Sequence, residues 1–160
     1  MNADGVLKVH PINQTLLHLL DNQASRTYFA FEGLNAEVFT LDPGSGCNSI
    51  QKIGEHLIGL RGFQLLLLGS ELAKQMPEKS AASLEELLSK LDAATALVRR
   101  AIEAHDPNDW HAEPTGPREG PWAELPTLLR FVRPMNDFTN HLGGIRALRR
   151  IHGNPAEKTQ

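Results

Sequence analysis

The chain has a single cysteine, Cys47, among its 160 residues. No intrachain disulfide can form, and a fold built without such staples suits a reducing compartment. Long apolar runs are also missing. The longest, Leu65-Leu66-Leu67-Leu68, falls far short of the ~20 residues needed to span a bilayer. Basic residues occur in no block larger than pairs such as Arg99-Arg100 and Arg149-Arg150, and the net charge is −3 with a pI of about 6.1. The clustered basic footprint of nucleic-acid recognition is therefore absent. Met1-Asn2-Ala3-Asp4-Gly5 carries neither the basic nor the apolar region of a signal peptide. These absences predict a cytoplasmic protein that binds neither nucleic acid nor membrane.

What is present is ordinary for a globular protein: 41% hydrophobic and 22% charged residues. A chain of this length can bury ~70% of its unfolded surface, so one domain over residues 1–160 is expected.

Apolar periodicity predicts four amphipathic helices at about 11–32, 48–69, 83–104 and 123–152. The first follows His10-Pro11, a good start because proline lacks only an N–H that would be orphaned anyway. Its stripe is Ile12, Leu16, Leu19, Leu20, Ala24, Thr27, Tyr28 and Phe31. Asn48 and Gln51 suggest a capping box for the second helix, whose buried face is read as Ile50, Ile53, Leu57, Leu60 and the run Phe63 to Leu68. Ser83 and Glu86 form another such box, opening a third helix lined by Leu84, Leu87, Leu88, Leu91, Ala94, Leu97, Val98, Ala101 and Ile102. The fourth carries Leu128, Val132, Met135, Phe138, Leu142, Ile145 and Leu148, with a kink expected at Pro134 and a stop at Gly153. Between helices three and four, residues 105–121 form a Pro-rich loop with Trp110 and His111. Val38-Phe39-Thr40 is the only strand-like fragment. The fold class is all-α, an antiparallel-type four-helix bundle.

Asp137 and His141 are four residues apart, so a helix sets a carboxylate and an imidazole one turn apart on one face, about 5–6 Å between Cβ atoms. A third donor must come from another helix, and His56 is the candidate. Imidazole with carboxylate suits several transition metals, and three protein ligands leave positions for water or substrate.

Two motifs carry a family resemblance. Ser49-Ile50-Gln51-Lys52-Ile53-Gly54-Glu55-His56-Leu57 resembles the start of helix two in the DinB-like, or YfiT-like, bacterial four-helix bundles, with the family's first metal histidine seven residues after the serine. Asp137-Phe138-Thr139-Asn140-His141-Leu142-Gly143-Gly144-Ile145, with Arg149 and His152-Gly153-Asn154-Pro155, resembles the family's His-x-x-x-His, then Gly-Gln-Ile, then an arginine-bearing turn ending in Gly-x-Pro. Asp137 stands where the family has the first histidine of its pair, and Gly144 where it has glutamine. The mycothiol-dependent maleylpyruvate isomerase branch also uses an acidic residue there, although a longer one. The resemblance implies a metal held by His56, Asp137 and His141, with zinc or nickel first and iron or manganese next. It further implies a low-molecular-weight thiol as co-substrate, thiol S-transferase or hydrolase-type chemistry on a small molecule, and a homodimer.

The competing expectation is a non-catalytic dimeric helical module in a stress response, with a vestigial metal site. A phosphotransfer bundle using His18 is disfavoured by the flanking Leu16, Leu17, Leu19 and Leu20. A ferritin-like di-metal site is disfavoured because no Glu-x-x-His pair lies on any predicted helix.

Overall fold

The computed structural model describes residues 10–44, 46–113 and 124–154. Among the described residues there are five α-helices: α1 (Pro11–Phe31), α2 (Ala36–Thr40), α3 (Ile50–Leu67), α4 (Leu84–Ala104) and α5 (Thr127–Ile151). Short 3₁₀ turns cover Glu71–Gln75 and Pro107–His111, and no strand occurs among the described residues. Among the described residues, no helix is long and apolar enough to cross a membrane.

α1, α3, α4 and α5 form the bundle, with α3 packed on α4 and α5, and α1 also packed on α4 and α5. Side-chain contacts give the directions. Asn13 of α1 reaches the end of α4 at Ile102, and Asp21 pairs with Arg99, so α1 and α4 are antiparallel. Gln23 donates to the Met135 carbonyl while Arg149 donates to that of Ala30, so α1 and α5 are parallel. Arg61 lies over Phe138 and His56 meets His141, so α3 and α5 are antiparallel. Neighbouring α3 and α4 are consequently parallel, which corrects the simple antiparallel expectation. Parallel neighbours need a crossover. Residues 68–83 supply it by returning along α3, where Glu55 Oε1 accepts from the Ala81 N–H at 3.0 Å and Gln51 donates to the Ala81 carbonyl at 2.6 Å.

Local chemistry explains most helix ends. Pro11 opens α1 behind His10, whose Nδ1 accepts from the Ile12 N–H at 3.3 Å. Ser49, rather than Asn48, caps α3 by accepting from the Lys52 N–H at 3.2 Å, and Gln51 is thereby released to hold the crossover. Ser83 caps α4 as expected at 3.1 Å, while Glu86 returns its bond to Ala82 one residue further out. α5 runs on through the buried Pro134. It ends in a Schellman turn, with Gly153 at φ +70°, the Asn154 N–H on the Arg149 carbonyl at 2.8 Å and the Gly153 N–H on that of Arg150 at 3.4 Å.

Val38, Phe39 and Thr40 belong to a helix rather than a strand. Asn35 Oδ1 accepts from the Glu37 N–H at 2.7 Å and starts the single turn of α2, which drives Phe39 into the core. Residues 105–113 are likewise ordered, with Trp110 fully buried against Phe131. Trp122 and the prolines at 114, 117 and 121 lie outside the described residues, as does residue 123 where α5 was expected to begin.

The core has two apolar halves. One gathers Phe31, Phe39, Leu57, Leu87, Phe138 and Leu142, and the other Leu16, Leu20, Leu65, Val98, Trp110 and Phe131. Each such side chain contributes about 1.5–3 kcal/mol when fully buried. Gln23, Arg61 and Gln64 are also buried, and Arg61 Nη1 donates to Gln23 Oε1 at 3.1 Å and to Gln64 Oε1 at 3.0 Å. Phe63 and Leu66, expected inside, are instead exposed, as are Leu19 and Tyr28 on α1.

Candidate functional site

α3 and α5 are antiparallel neighbours, and His56 and His141 occupy facing positions across their seam. The two rings meet edge to face, with centroids 4.7 Å apart and planes at 77°. His56 is exposed, while His141 and Asp137 are half-buried. Partial desolvation pushes the His56 pKa down, and the positive charges of His141 and Lys79 add to the effect. Asp137 acts the other way, so its carboxylate lies within electrostatic reach of the pair.

In donor chemistry, two imidazoles and a carboxylate fit a divalent transition metal. Among the described residues, no three His, Cys, Asp or Glu side chains are gathered tightly enough to hold an ion. The histidine pair is assembled across the seam, and the third donor stands apart from it.

Trp110 and His111 do not belong to this site. Trp110 packs on Phe131 and His105 in the other half of the core. Phe131 precedes His141 by ten residues of α5, about 15 Å of helix rise. The Trp110 turn therefore lies well away from the His56 and His141 pair. His18 is exposed, and Cys47 is an exposed thiol in the turn before α3.

The Arg149 and Asn154 motif is architectural. The buried Arg149 guanidinium donates to the Ala30 carbonyl at 2.8 Å and the Asn154 carbonyl at 2.9 Å, while Asn154 Oδ1 accepts from the Asn35 N–H at 3.1 Å. It clasps the end of α5 to the α1–α2 turn.

Sequence reasoning missed Lys79. Its charge reaches His56 from the crossover, and its chain lies against Gly59 of α3. The available signal was Gly59 and Gly62, two residues without side chains on one stretch of α3.

No curated protein matches the chain. The family model of the DinB superfamily matches residues 9–142, a span that takes in His56, Asp137 and His141 and stops short of Arg149. With the helical bundle and the paired motifs inside that span, the chain belongs to the DinB superfamily.

Proposed function

We propose that the protein is a metal-dependent enzyme acting on a small molecule, with His56, Asp137 and His141 holding one divalent transition metal, zinc or nickel before iron or manganese. The observation that carries this reading is the meeting of His56 and His141 across the α3–α5 seam. Imidazoles brought together from facing helices, one exposed and one half-buried, are placed as bundle metal ligands are. Such a metal acidifies a bound water or holds a low-molecular-weight thiol as its thiolate. The exposed side of His56 leaves room for a substrate to approach, which favours S-transferase or hydrolase-type chemistry over a purely structural site.

The test is elemental analysis of untagged protein, wild type beside His56→Ala, after incubation with zinc, nickel or manganese. About one equivalent retained by the wild type and lost by the variant is expected. Metal absent from both would sink the enzyme reading.

A second reading, a non-catalytic dimeric module, draws on Tyr28, Phe29 and Leu129, large apolar side chains left exposed on α1 and α5. Sedimentation of wild type and Tyr28→Ser separates it: a dimer dissolved by the substitution, in a protein that binds no metal, is its signature.

A further inference from the structure

The crossover that makes α3 and α4 parallel leaves a groove on the outer face of α3. Its volume is about 330 Å³, and its walls include Gly59, Gly62, Phe63 and Leu66 from α3 with Met76 and Lys79 from the crossover. The two strands of chain lie very close. A Cβ added to Gly59 would stand 3.2 Å from Lys79 Cε and 3.4 Å from its Nζ, and one added to Gly62 would stand 3.4 Å from Met76 Cε. The Lys79 and Met76 side chains thus lie over bare helix backbone at Gly59 and Gly62.

The groove is polarised along its length. Phe63 and Leu66, 42% and 48% exposed, give it an apolar floor at one end. The Lys79 ammonium closes the other, over Gly59, one helical turn from His56. His56, Gly59 and Phe63 are spaced three and four apart, so they share one strip of α3. Lys79 makes no ion pair or hydrogen bond with any described residue. An exposed lysine with no counter-charge among the described residues, at the end of an apolar trough one turn from His56, suits an anionic head with an apolar arm.

We infer that this groove binds the substrate of the proposed enzyme, and that the substrate is a small carboxylate with an aliphatic arm, its carboxylate on Lys79 and its arm along Phe63 and Leu66. The inference rests on the metal-site reading only for the word substrate. As a binding site it stands on the groove itself. With its arm along Phe63 and Leu66, the molecule has its carboxylate as the end nearest His56, one helical turn from Gly59.

The test uses metal-stripped full-length protein, so that it does not depend on the metal site. Butanoate, hexanoate, octanoate and the uncharged 1-hexanol are titrated in turn, and binding is read from backbone amide shifts of Gly59, Gly62 and Phe63. Hexanoate is expected to bind about two- to fivefold more tightly than 1-hexanol, the range an exposed ion pair supplies. Lengthening the arm by two methylenes is expected to tighten binding by up to about tenfold. Lys79→Gln should erase the preference for hexanoate while leaving 1-hexanol unchanged. Phe63→Ser, an exposed position that carries little folding risk, should flatten the chain-length series.

Equal binding of hexanoate and 1-hexanol by the wild type, or shifts confined to other amides, would overturn the inference. Metal content measured on separate samples keeps the two readings apart. A loaded metal site with a silent groove removes this inference alone, and a carboxylate-binding groove in a protein that takes no metal removes the enzyme reading alone.

Discussion

Arg61 lays its guanidinium over the ring of Phe138, 4.1 Å from the centroid, with no carboxylate of the described residues hydrogen-bonded to it. Burial drags its pKa down to about 9, which still leaves the group charged at neutral pH. Its Nε and Nη2 have no hydrogen-bond partner among the described residues. A buried charge held only by two amide oxygens and an aromatic face costs several kcal/mol of desolvation that those contacts repay only in part. Replacement by an apolar side chain of similar length should therefore cost little. Arg61→Met is expected to keep or raise the urea midpoint, even though Gln23 and Gln64 each lose a donor. Arg61→Ala, which adds a cavity, should lower stability by about 2–4 kcal/mol. Equal and large losses in both variants would show instead that the polar layer between the two core halves is a net stabiliser.

At the opposite end of the bundle, Asn13 satisfies three groups at once. Its Oδ1 accepts from Trp110 Nε1 at 2.7 Å, and its Nδ2 donates to the carbonyls of Ile102 at 2.8 Å and His105 at 3.0 Å. It thus caps α4 and locks the Trp110 turn to α1. Asn13→Ala strands a buried indole N–H and two helix-end carbonyls, at about 1–3 kcal/mol for the worst of them. A destabilisation of about 2–4 kcal/mol in urea is expected. A loss under about 0.5 kcal/mol for Asn13→Ala would mean that water replaces the side chain.

The long helices and their stripes were legible because α4 has a strict amphipathic period and Ser83 and Gly153 are unambiguous punctuation. α3 was harder. In the run from Phe63 to Leu68 apolar residues fill every side, so periodicity could not tell that Gln64 faces in while Phe63 and Leu66 face out. Nothing in the sequence marks Arg61 as buried, since the ordinary rule puts arginine in water. The residues alone offered His56 only as a candidate third donor, and the family resemblance is what tied it to His141, because spacing on one helix says nothing about what a second helix brings to it. Parallel α3 and α4 were not legible at all, since direction depends on where the crossover travels. The contacts of Ala81 with Glu55 and Gln51, which fix that path, have no sequence signature.

His105 carries a pH dependence. Its ring lies 4.2 Å from that of Trp110 and its Nε2 is buried without a partner. Burial lowers its pKa below 6.5, against the opposing pull of Asp109 and Asp106. The unfolded chain therefore binds a proton at a higher pH than the folded one does. Stability from this group is fully present above about pH 6.5 and falls as pH drops from there toward the lower folded-state pKa. Melting temperatures of wild type and His105→Gln between pH 7.5 and 5 should converge on acidification, the wild type losing more. Parallel curves would place the acid sensitivity elsewhere.

Asp137 is the residue on which the metal reading turns. It shares a face of α5 with His141, one turn away, and its charge is felt by His56, yet the three side chains are not drawn together. A carboxylate that ligates must reach the histidine pair, so a longer one should reach it more easily, and a neutral amide of the same size should bind a metal poorly. In chelator competition with zinc, Asp137→Glu is expected to bind as tightly as the wild type or more so, whereas Asp137→Asn should weaken binding at least about tenfold. The fold should be untouched in both, since Asp137 makes no hydrogen bond to a described residue and packs no core. If Asp137→Asn holds zinc like the wild type while His56→Ala loses it, the carboxylate is not a ligand, and the open positions on the metal are more numerous than three protein donors would leave.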